Sequence, residues 1–230
     1  MEPAYRRIMS ALLDEIVTRR FAPGEWLPSV GEIAARHACG RGAAREAIRA
    51  LEERGVVEAQ AGKGQQVLLD DHWAVLDRDV AEATLLRHSD TRLLGQAIEA
   101  LRLIETQAVM LAARRVDDGD LKLLRGTLDL MRESVGDSNG ARALAARFLA
   151  AEQDFHRTLA ALSRNRFLAD ALKSLHSVIA SVRREQAGDR DPAVVRAHEG
   201  IMAALSEHDP TAAAAAVDGY ARQLASWLRV

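Results

Sequence analysis

Residues 28–55 read PSVGEIAARHACGRGAAREAIRALEERG and carry the signals for two consecutive helices. Ser29 can cap the first helix, and the glutamate three residues later can reach back to complete a capping box. The pattern predicts a short helix over Glu32–His37 and a longer one from about Arg41 to Arg54. Gly55 stands where a C-terminal cap belongs. Two helices separated by a tight turn form the centre of a helix-turn-helix unit.

The flanking sequence extends this unit on both sides. Ala4–Arg20 carries a helical stripe of apolar residues, which ends at the turn residues Pro23-Gly24. Val56–Ala59 and Gln66–Leu69 are typical of two short strands around a glycine-rich tip at Ala61–Gly64. The order helix, helix, turn, helix, hairpin is that of a winged helix-turn-helix, in which the third helix enters the major groove of DNA.

The sequence changes in texture near residue 70, beyond which strand signals vanish and a Leu/Ala-rich helical period takes over. Proline after aspartate at Asp191-Pro192 and Asp209-Pro210 predicts two helix starts. We expect six or seven helices, and therefore a bundle. The predicted breaks between helices are Asp117–Gly119, Gly136–Ser138, Arg164-Asn165, Gly188-Asp189 and His208-Asp209.

The predicted fold class is mainly α: an N-terminal winged helix-turn-helix followed by an all-helical bundle. The predicted domains are residues 1–70 for the winged unit, 71–80 for a linker and 81–230 for the helical domain.

Composition limits the classes of function. The chain has 230 residues, 48% of them hydrophobic, and a single cysteine, which excludes an internal disulfide framework. No apolar run approaches the ~18 residues of a membrane span and the N-terminus has no apolar signal core, so we expect a cytoplasmic protein without a membrane segment. The formal net charge is −2, so any binding to nucleic acid must come from a local patch.

A local patch of this kind lies on the second helix of the quoted stretch. Arg41, Arg45 and Arg49 are spaced four residues apart, so their guanidinium groups project from one helix face. Arg36 precedes them, and Lys63 lies between two glycines at the hairpin tip. Arginine can bond phosphate oxygens or the edge of guanine in two places at once. The alternative is a solvated helix face with Glu–Arg pairs, but the row and the hairpin together favour DNA binding.

These residues resemble the GntR family of bacterial transcription regulators. The resemblance covers nearly all of residues 5–69 and rests on Phe21–Ser29, Glu32–Ala34, Arg41–Leu51 and Gly62–Gly64. It implies contacts with operator DNA by Arg36, Arg41, Arg45, Arg49, Lys63 and Gly64. The sequence departs from the family pattern at Gly40–Ala43, where the family usually has Ser-Arg-Thr-Pro, so its preferred DNA sequence is expected to differ from that of its relatives.

The second half resembles the effector domain of the FadR-like branch of that family, the FCD domain. The supporting segments are Glu99–Glu105, Leu111–Ala113, Phe155–Asn165 and Ala197-His198, within about residues 80–228. The resemblance implies a homodimer that binds a palindromic operator in double-stranded DNA and whose helical domain binds a small carboxylate effector.

A metal site is predicted in this domain. Glu152 and His156 are four residues apart on one predicted helix, and carboxylate and imidazole together suit a divalent transition metal. The resemblance implies an ion such as Zn or Ni, held also by two later histidines. His198 matches the first of them, and Tyr220 stands at the second. His176 is an alternative for the missing ligand, and a surface Glu–His pair without metal is an alternative to the whole site.

The effector-binding residues predicted from the resemblance are Arg102 and Tyr220. A cation at an interior-facing helix position requires an anion, and the carboxylate of an effector would supply it; a salt bridge to Glu99 or Glu105 is the alternative. The segment Trp73–Val80 resembles family members that control sugar-acid catabolism, which makes a sugar acid the first expectation for the effector.

The sequence thus predicts a cytoplasmic, homodimeric transcription repressor. A second hypothesis is a metal-dependent helical enzyme with an accessory winged domain, in which Glu152, His156 and His198 hold a catalytic metal. The sequence has no HExxH motif, nucleophile elbow or phosphate loop, which counts against it. A third hypothesis treats the winged unit as a protein-interaction module.

Overall fold

The structure is a computed structural model that describes residues 3–87, 90–135, 141–185 and 192–229. The chain divides into two compact units, Met1–Asp90 and Thr91–Val230. The predicted breaks at Gly136–Ser138 and Gly188-Asp189, and the predicted cap at Asp191, lie outside the described residues.

The first unit is the predicted winged helix-turn-helix. Ser29 and Glu32 form the expected capping box, in which the Ser29 hydroxyl accepts from the Glu32 amide and the Glu32 carboxylate accepts from the Ser29 amide. Its helices are α1 (Ala4–Val17), α2 (Val30–Arg36), α3 (Arg41–Glu53) and the short α4 (Arg78–Glu82). Its strands β1 (Val57–Gln60) and β2 (Gly64–Val67) pair antiparallel with Val57 opposite Val67.

The periodicity of the helices explains the core of this unit. On α1, Leu12, Leu13 and Ile16 are at most 1% exposed, and they share one hydrophobic cluster with Ile33 of α2 and Leu51 of α3. Residues three and four apart face the same side of a helix, so each helix turns one apolar stripe inward. The opposite face of α3 remains exposed to solvent.

Residues 71–87 pack onto the winged unit, although the sequence predicts a linker at 71–80. Trp73 and Val80 are buried in the same hydrophobic cluster as the helix-turn-helix. Arg54 donates to Asp77 at 3.0 Å and to Asp79 at 2.8 Å, and Asp77 also caps α4. The segment carries enough apolar surface to dock on this core, so the unit extends to Asp90.

The second unit contains, within its described residues, six long helices: α5 (Thr91–Ala113), α6 (Asp118–Ser134), α7 (Ala141–Leu162), α8 (Arg166–Glu185), α9 (Pro192–Ser206) and α10 (Pro210–Leu228). Helix α5 packs against α7, α8, α9 and α10, which places it at the centre of the bundle. Asp209 caps α10 with Pro210 at its first turn, as predicted, and Asp117 caps α6 at one of the predicted breaks. No helix in the described ranges is both long and apolar enough to cross a bilayer.

Gly55 allows a close approach between α3 and the segment that follows the hairpin. Its φ is +65°, and a Cβ atom placed on it would lie 2.4 Å from the carbonyl oxygen of His72. Gly24 also has a positive φ, of +86°, but no atom lies within 4 Å of the Cβ position there. The two glycines therefore separate the cost of backbone conformation from the cost of a clash.

We expect Gly55→Ala to lower the free energy of unfolding by about 3 kcal/mol, because a steric clash adds to the left-handed backbone. Gly24→Ala should cost only about 1 kcal/mol, since it carries the backbone term alone. Urea unfolding monitored by circular dichroism measures both. Equal losses for the two variants would show that the contact with His72 is not a constraint on the fold.

Candidate functional site

The exposed face of α3 carries three arginines, which we call the arginine ridge: Arg41, Arg45 and Arg49. Arg49 forms an ion pair with Glu53 at 3.4 Å, with both side chains exposed. Among residues 3–87, no carboxylate forms an ion pair with Arg41 or Arg45. The alternative of a helix face with Glu–Arg pairs therefore applies only to Arg49. The guanidinium groups of Arg41 and Arg45 remain available to an external anion.

Arg36, the fourth predicted DNA-contacting arginine, is partly engaged within the protein. Its guanidinium lies 3.1 Å from the Glu15 carboxylate and 6.0 Å from the centre of the Phe21 ring. The side chain is 32% exposed. Arg36 thus joins α2 to α1 and presents only part of its guanidinium to solvent.

The tip of the hairpin presents Lys63 between two glycines with positive φ, Gly62 at +77° and Gly64 at +109°. The sequence offers Lys63 no neighbouring partner, but the structure places its ammonium 6.0 Å from the centre of the Trp26 ring. Trp26 forms a β-bridge with Gln66 and so extends the hairpin by one short strand. The aromatic ring supports the lysine, which stays exposed.

In the helical unit, four predicted residues from three helices meet in one buried cluster, which we call the histidine pocket: Glu152 and His156 of α7, His198 of α9 and Tyr220 of α10. The Nε2 atoms of His156 and His198 are 3.0 Å apart. The Tyr220 hydroxyl donates to Oε1 of Glu152 at 2.9 Å. The surface pair that the sequence left as an alternative is excluded, because Glu152 and His156 are at most 2% exposed.

The hydrogen bonds of the two histidines fix the direction of their lone pairs. Nδ1 of His156 lies 2.6 Å from Oε1 of Glu105, and Nδ1 of His198 lies 2.7 Å from the Val194 carbonyl. Carboxylate and carbonyl oxygens only accept, so each Nδ1 carries the proton and each Nε2 of a neutral ring holds a lone pair. Two lone pairs 3.0 Å apart in a buried site require a proton or a cation between them.

Without a cation, a proton must lie between the two Nε2 atoms. Burial and, to a smaller extent, the neighbouring His156 lower the pKa of His198 to about 4. Burial also opposes charge on His156, but Glu105 and Glu152 together outweigh it and raise the pKa of His156 above its ordinary value. The proton therefore resides on His156, and His198 accepts from it.

Glu105 is a buried residue of this site that the sequence analysis did not single out as functional. It lies on α5, and its Oε1 also contacts Nε2 of His176 at 3.1 Å. Burial would raise the pKa of the Glu105 carboxyl, but His156 and His176 hold it well below its usual range. His176 stacks on His156 with ring centres 4.4 Å apart, and Glu105, His156 and His176 form a second group of side chains that could hold a metal ion.

Arg183 is the second such residue. Its NH1 donates to Oε2 of Glu152 at 2.5 Å, and its side chain is only 6% exposed. Burial would raise the pKa of the Glu152 carboxyl, but Arg183 holds it below its ordinary value. The signal in the sequence was the spacing Leu172, His176, Ile179, Arg183, which places all four residues on one face of α8.

The prediction that Arg102 faces the interior is wrong. Its side chain is 41% exposed and pairs with Asp218 of α10 at 2.7 Å, rather than with Glu99 or Glu105. The inward stripe of α5 runs through Leu101 and Glu105, which leaves Arg102 at the edge of the helix interface. The interior arginine comes from α8 instead.

A small cavity joins these groups. It is lined by Glu152, His156, His176, Arg183 and Tyr220 with Leu149 and Ile179 among the apolar residues. Its volume of about 20 Å³ is enough for roughly one water molecule. Arg102 is not among its lining residues.

The donor set fits a divalent transition metal. Ligand atoms of Glu152, His156 and His198 all lie within 4.8 Å of one another, and both imidazoles turn an unprotonated Nε2 inward when neutral. The carboxylate of Glu105 behind His156 is the outer partner that metal-bound histidines usually have. These three residues could hold such an ion.

Comparison with known proteins identifies the family of each unit. The profile described as bacterial regulatory proteins, gntR family, matches residues 4–67, and that of the FCD domain matches residues 96–222. The chain belongs to the GntR family. It is a DNA-binding transcription regulator of the branch with an FCD domain, and the enzyme hypothesis has no support among its relatives.

Several members of the GntR family resemble the whole chain. The transcriptional repressor NanR of Edwardsiella tarda is 30% identical over 240 residues, which cover 98% of this chain and 87% of the relative. The galactonate operon repressor of Escherichia coli K12 is 26% identical over 210 residues, 90% of this chain and 89% of the relative. A GntR protein of Streptococcus agalactiae of known structure gives a TM-score of 0.52 at 25% identity, with 98% and 99% of the two chains covered.

We expect Glu105→Gln to lower the free energy of unfolding by about 2 kcal/mol in buffer with EDTA, because a neutral amide replaces a charged acceptor that serves two histidines. Glu99→Gln, at an exposed position of the same helix, should change it by less than about 0.5 kcal/mol. Urea unfolding measures both variants. A loss at Glu105 no larger than at Glu99 would contradict the role given to this carboxylate.

Proposed function

We propose that the chain is a cytoplasmic, homodimeric repressor whose affinity for a palindromic operator is set by a divalent metal and a sugar acid bound in the histidine pocket. The observation that carries the proposal is the buried pair of facing Nε2 atoms of His156 and His198, 3.0 Å apart beside a carboxylate. Such an arrangement costs stability in a purely structural core, which indicates a binding site.

The arginine ridge and the hairpin tip are the proposed contacts with DNA. The guanidinium groups of Arg41 and Arg45 can bond phosphate or guanine in the major groove. That of Arg49 can do so once its ion pair with Glu53 breaks. Lys63 and Gly64 reach the DNA backbone beside that groove, where a glycine allows close approach. Arg36 contributes the exposed part of its guanidinium. A protein-interaction module would not require such a row of cations.

Dimerisation follows from the expected operator. A single winged unit reads only a few base pairs, and two units related by a twofold axis read both halves of a palindrome. Most homo-oligomers of soluble proteins have this symmetry, and family membership favours it here.

The metal would be held by Glu152, His156 and His198, with Tyr220 at the position of a further ligand in the FCD resemblance. Burial raises the pKa of the Tyr220 phenol well above its ordinary value, and Glu152 adds to this effect. The Tyr220 hydroxyl donates to Oε1 of Glu152 at 2.9 Å. The bound ion would supply a Lewis acid for effector oxygens, and Tyr220 would leave a coordination position to them.

The effector class rests on the relatives and on ligand chemistry. One relative is named for the galactonate operon, and a sugar acid offers a carboxylate beside a hydroxyl, a pair of oxygens suited to an incompletely coordinated ion. Binding of the effector lowers operator affinity, and by linkage the operator lowers effector affinity by the same factor.

Arg45→Ala should weaken binding to the operator about 10- to 100-fold, because it removes from the centre of the ridge a guanidinium that pairs with none of the described carboxylates. The measurement is fluorescence anisotropy with a duplex selected from a random library by the wild-type protein. Arg78→Ala removes an exposed arginine of the same unit that lies on α4, outside the ridge, and should leave the affinity unchanged.

The two variants should have the same sedimentation behaviour as the wild type. Normal affinity of Arg45→Ala for the selected duplex would refute the assignment of the ridge. The slope of affinity against salt then tells whether Arg45 contacts phosphate, since the loss of one phosphate contact reduces the slope by about one.

Zinc or nickel added to EDTA-treated protein should raise its melting temperature, because an ion that binds only the folded state adds about 2.7 kcal/mol at a hundredfold excess over Kd. His198→Ala should abolish the rise. His208→Ala, in the same unit but bonded to the Ala113 carbonyl, should retain it. An equal rise in wild type and His198→Ala would exclude the proposed metal ligands.

A further inference from the structure

The ion pair between Arg183 and Glu152 occupies the wall of the histidine pocket. NH1 of Arg183 lies 2.5 Å from Oε2 of Glu152, and the two side chains are 6% and 3% exposed. A guanidinium buried to this degree must have an anion beside it. In the described conformation that anion is Glu152, the carboxylate that also belongs to the proposed metal ligands.

Glu152 therefore has two competing uses. Its Oε2 accepts from Arg183 and its Oε1 accepts from Tyr220, so both oxygens already have hydrogen-bond donors. A carboxylate shared with a guanidinium is a weaker ligand for a cation than a free one, because its negative charge is already compensated and a positive charge stands close to the ion.

The charges around the pocket point to a further anion. Among the described residues that line the cavity or bond to the lining, the acidic ones are Glu105 and Glu152 and the guanidinium is that of Arg183. A divalent ion bound there, together with the guanidinium, would exceed the charge of these two carboxylates by one positive charge. Such a surplus in a buried site favours binding of an external carboxylate.

We propose that Arg183 is the anchor for the effector carboxylate, and that Glu152 occupies this anchor until the effector replaces it and leaves Glu152 to the metal. The proposal rests on the proposed function, since it assumes a metal and a carboxylate effector in the same pocket. It assigns the anchor to α8, where the sequence had placed it at Arg102 of α5. Effector and metal then strengthen each other's binding.

Arg183 fits this role better than Arg102 for two reasons. Arg183 lines the cavity that contains the proposed metal ligands, and Arg102 does not. Arg102 lies 41% exposed against Asp218, which is itself paired with Arg222, so its charge is compensated outside the pocket. An exchange of one carboxylate for another on Arg183 also keeps that guanidinium paired throughout.

The test measures Zn²⁺ affinity of the full-length protein by competition with a chromophoric chelator. Arg183→Met should bind Zn²⁺ about tenfold more tightly than the wild type, because Glu152 is released and a nearby positive charge is removed. Arg183→Gln removes the charge but can still bond to Glu152, and its Zn²⁺ affinity should also rise. This variant is used if Arg183→Met does not fold. Arg102→Met removes an equal charge outside the pocket and should bind as the wild type does.

The second arm uses D-galactonate as the probe. In the wild type it should raise Zn²⁺ affinity several-fold, and in Arg183→Met and Arg183→Gln it should have no effect. Unchanged or weaker Zn²⁺ binding by both Arg183 variants would overturn the proposal, as would a galactonate effect that survives in them and disappears in Arg102→Met. If the Arg183 variants bind Zn²⁺ more tightly but galactonate has no effect on the wild type, the competition for Glu152 is supported and the proposed sugar-acid effector is wrong.

Discussion

The hydrogen bond between Glu105 and His156 is the constraint on which the histidine pocket depends. It joins the central helix α5 to α7 and commits Nδ1 of His156, so that Nε2 points at His198. Without it the imidazole could rotate or change tautomer, and the two inward nitrogens would no longer face each other. A buried carboxylate at this position is costly to the fold, and two histidines compensate it. The orientation of His156 in the pocket is thus set by Glu105, which lies behind the residues that would touch a ligand.

In the winged unit, the ion pairs of Arg54 have a comparable role. This arginine ends α3, the helix of the arginine ridge, and holds Asp77 and Asp79 in the segment that follows the hairpin. Arg19 adds a second link from the end of α1 to Asp70. The direction of the ridge is therefore fixed by the ion pairs of Arg54 at the end of α3 and by apolar packing beneath the helix, while no carboxylate in the described part of the chain pairs with Arg41 or Arg45.

The sequence predicted the parts of the molecule that follow from local signals. The capping box at Ser29, the stop at Gly55 and the start at Asp209 each depend on residues a few positions apart, and the structure confirms them. The family frame located Glu152, His156 and His198, which the structure brings together. Arg102 was misplaced because a helical period of 3.6 residues leaves neighbouring positions on either side of a stripe. Which of them faces inward is decided by the partner helices, not by the helix itself.

The sequence did not predict Glu105 and Arg183 as site residues for a related reason. Both are charged residues at positions where a helix pattern alone predicts apolar side chains, and charged residues are seldom buried without partners. Their partners come from other helices, 51 residues away for Glu105 and 31 for Arg183. Only the packing of α5, α7 and α8 reveals that each charge is compensated. Long-range pairing of this kind leaves no local signature in the sequence.

The size of the cavity constrains how an effector could act. A volume of about 20 Å³ is too small for a six-carbon acid, so the proposed effector would require a more open conformation of the pocket. A ligand that binds only a more open state shifts the protein towards that state by as much as its affinities for the two states differ. The same difference is the largest free energy available to weaken operator binding. A closed pocket would therefore lower the apparent affinity for the proposed effector, because the closed state would contribute nothing to its binding.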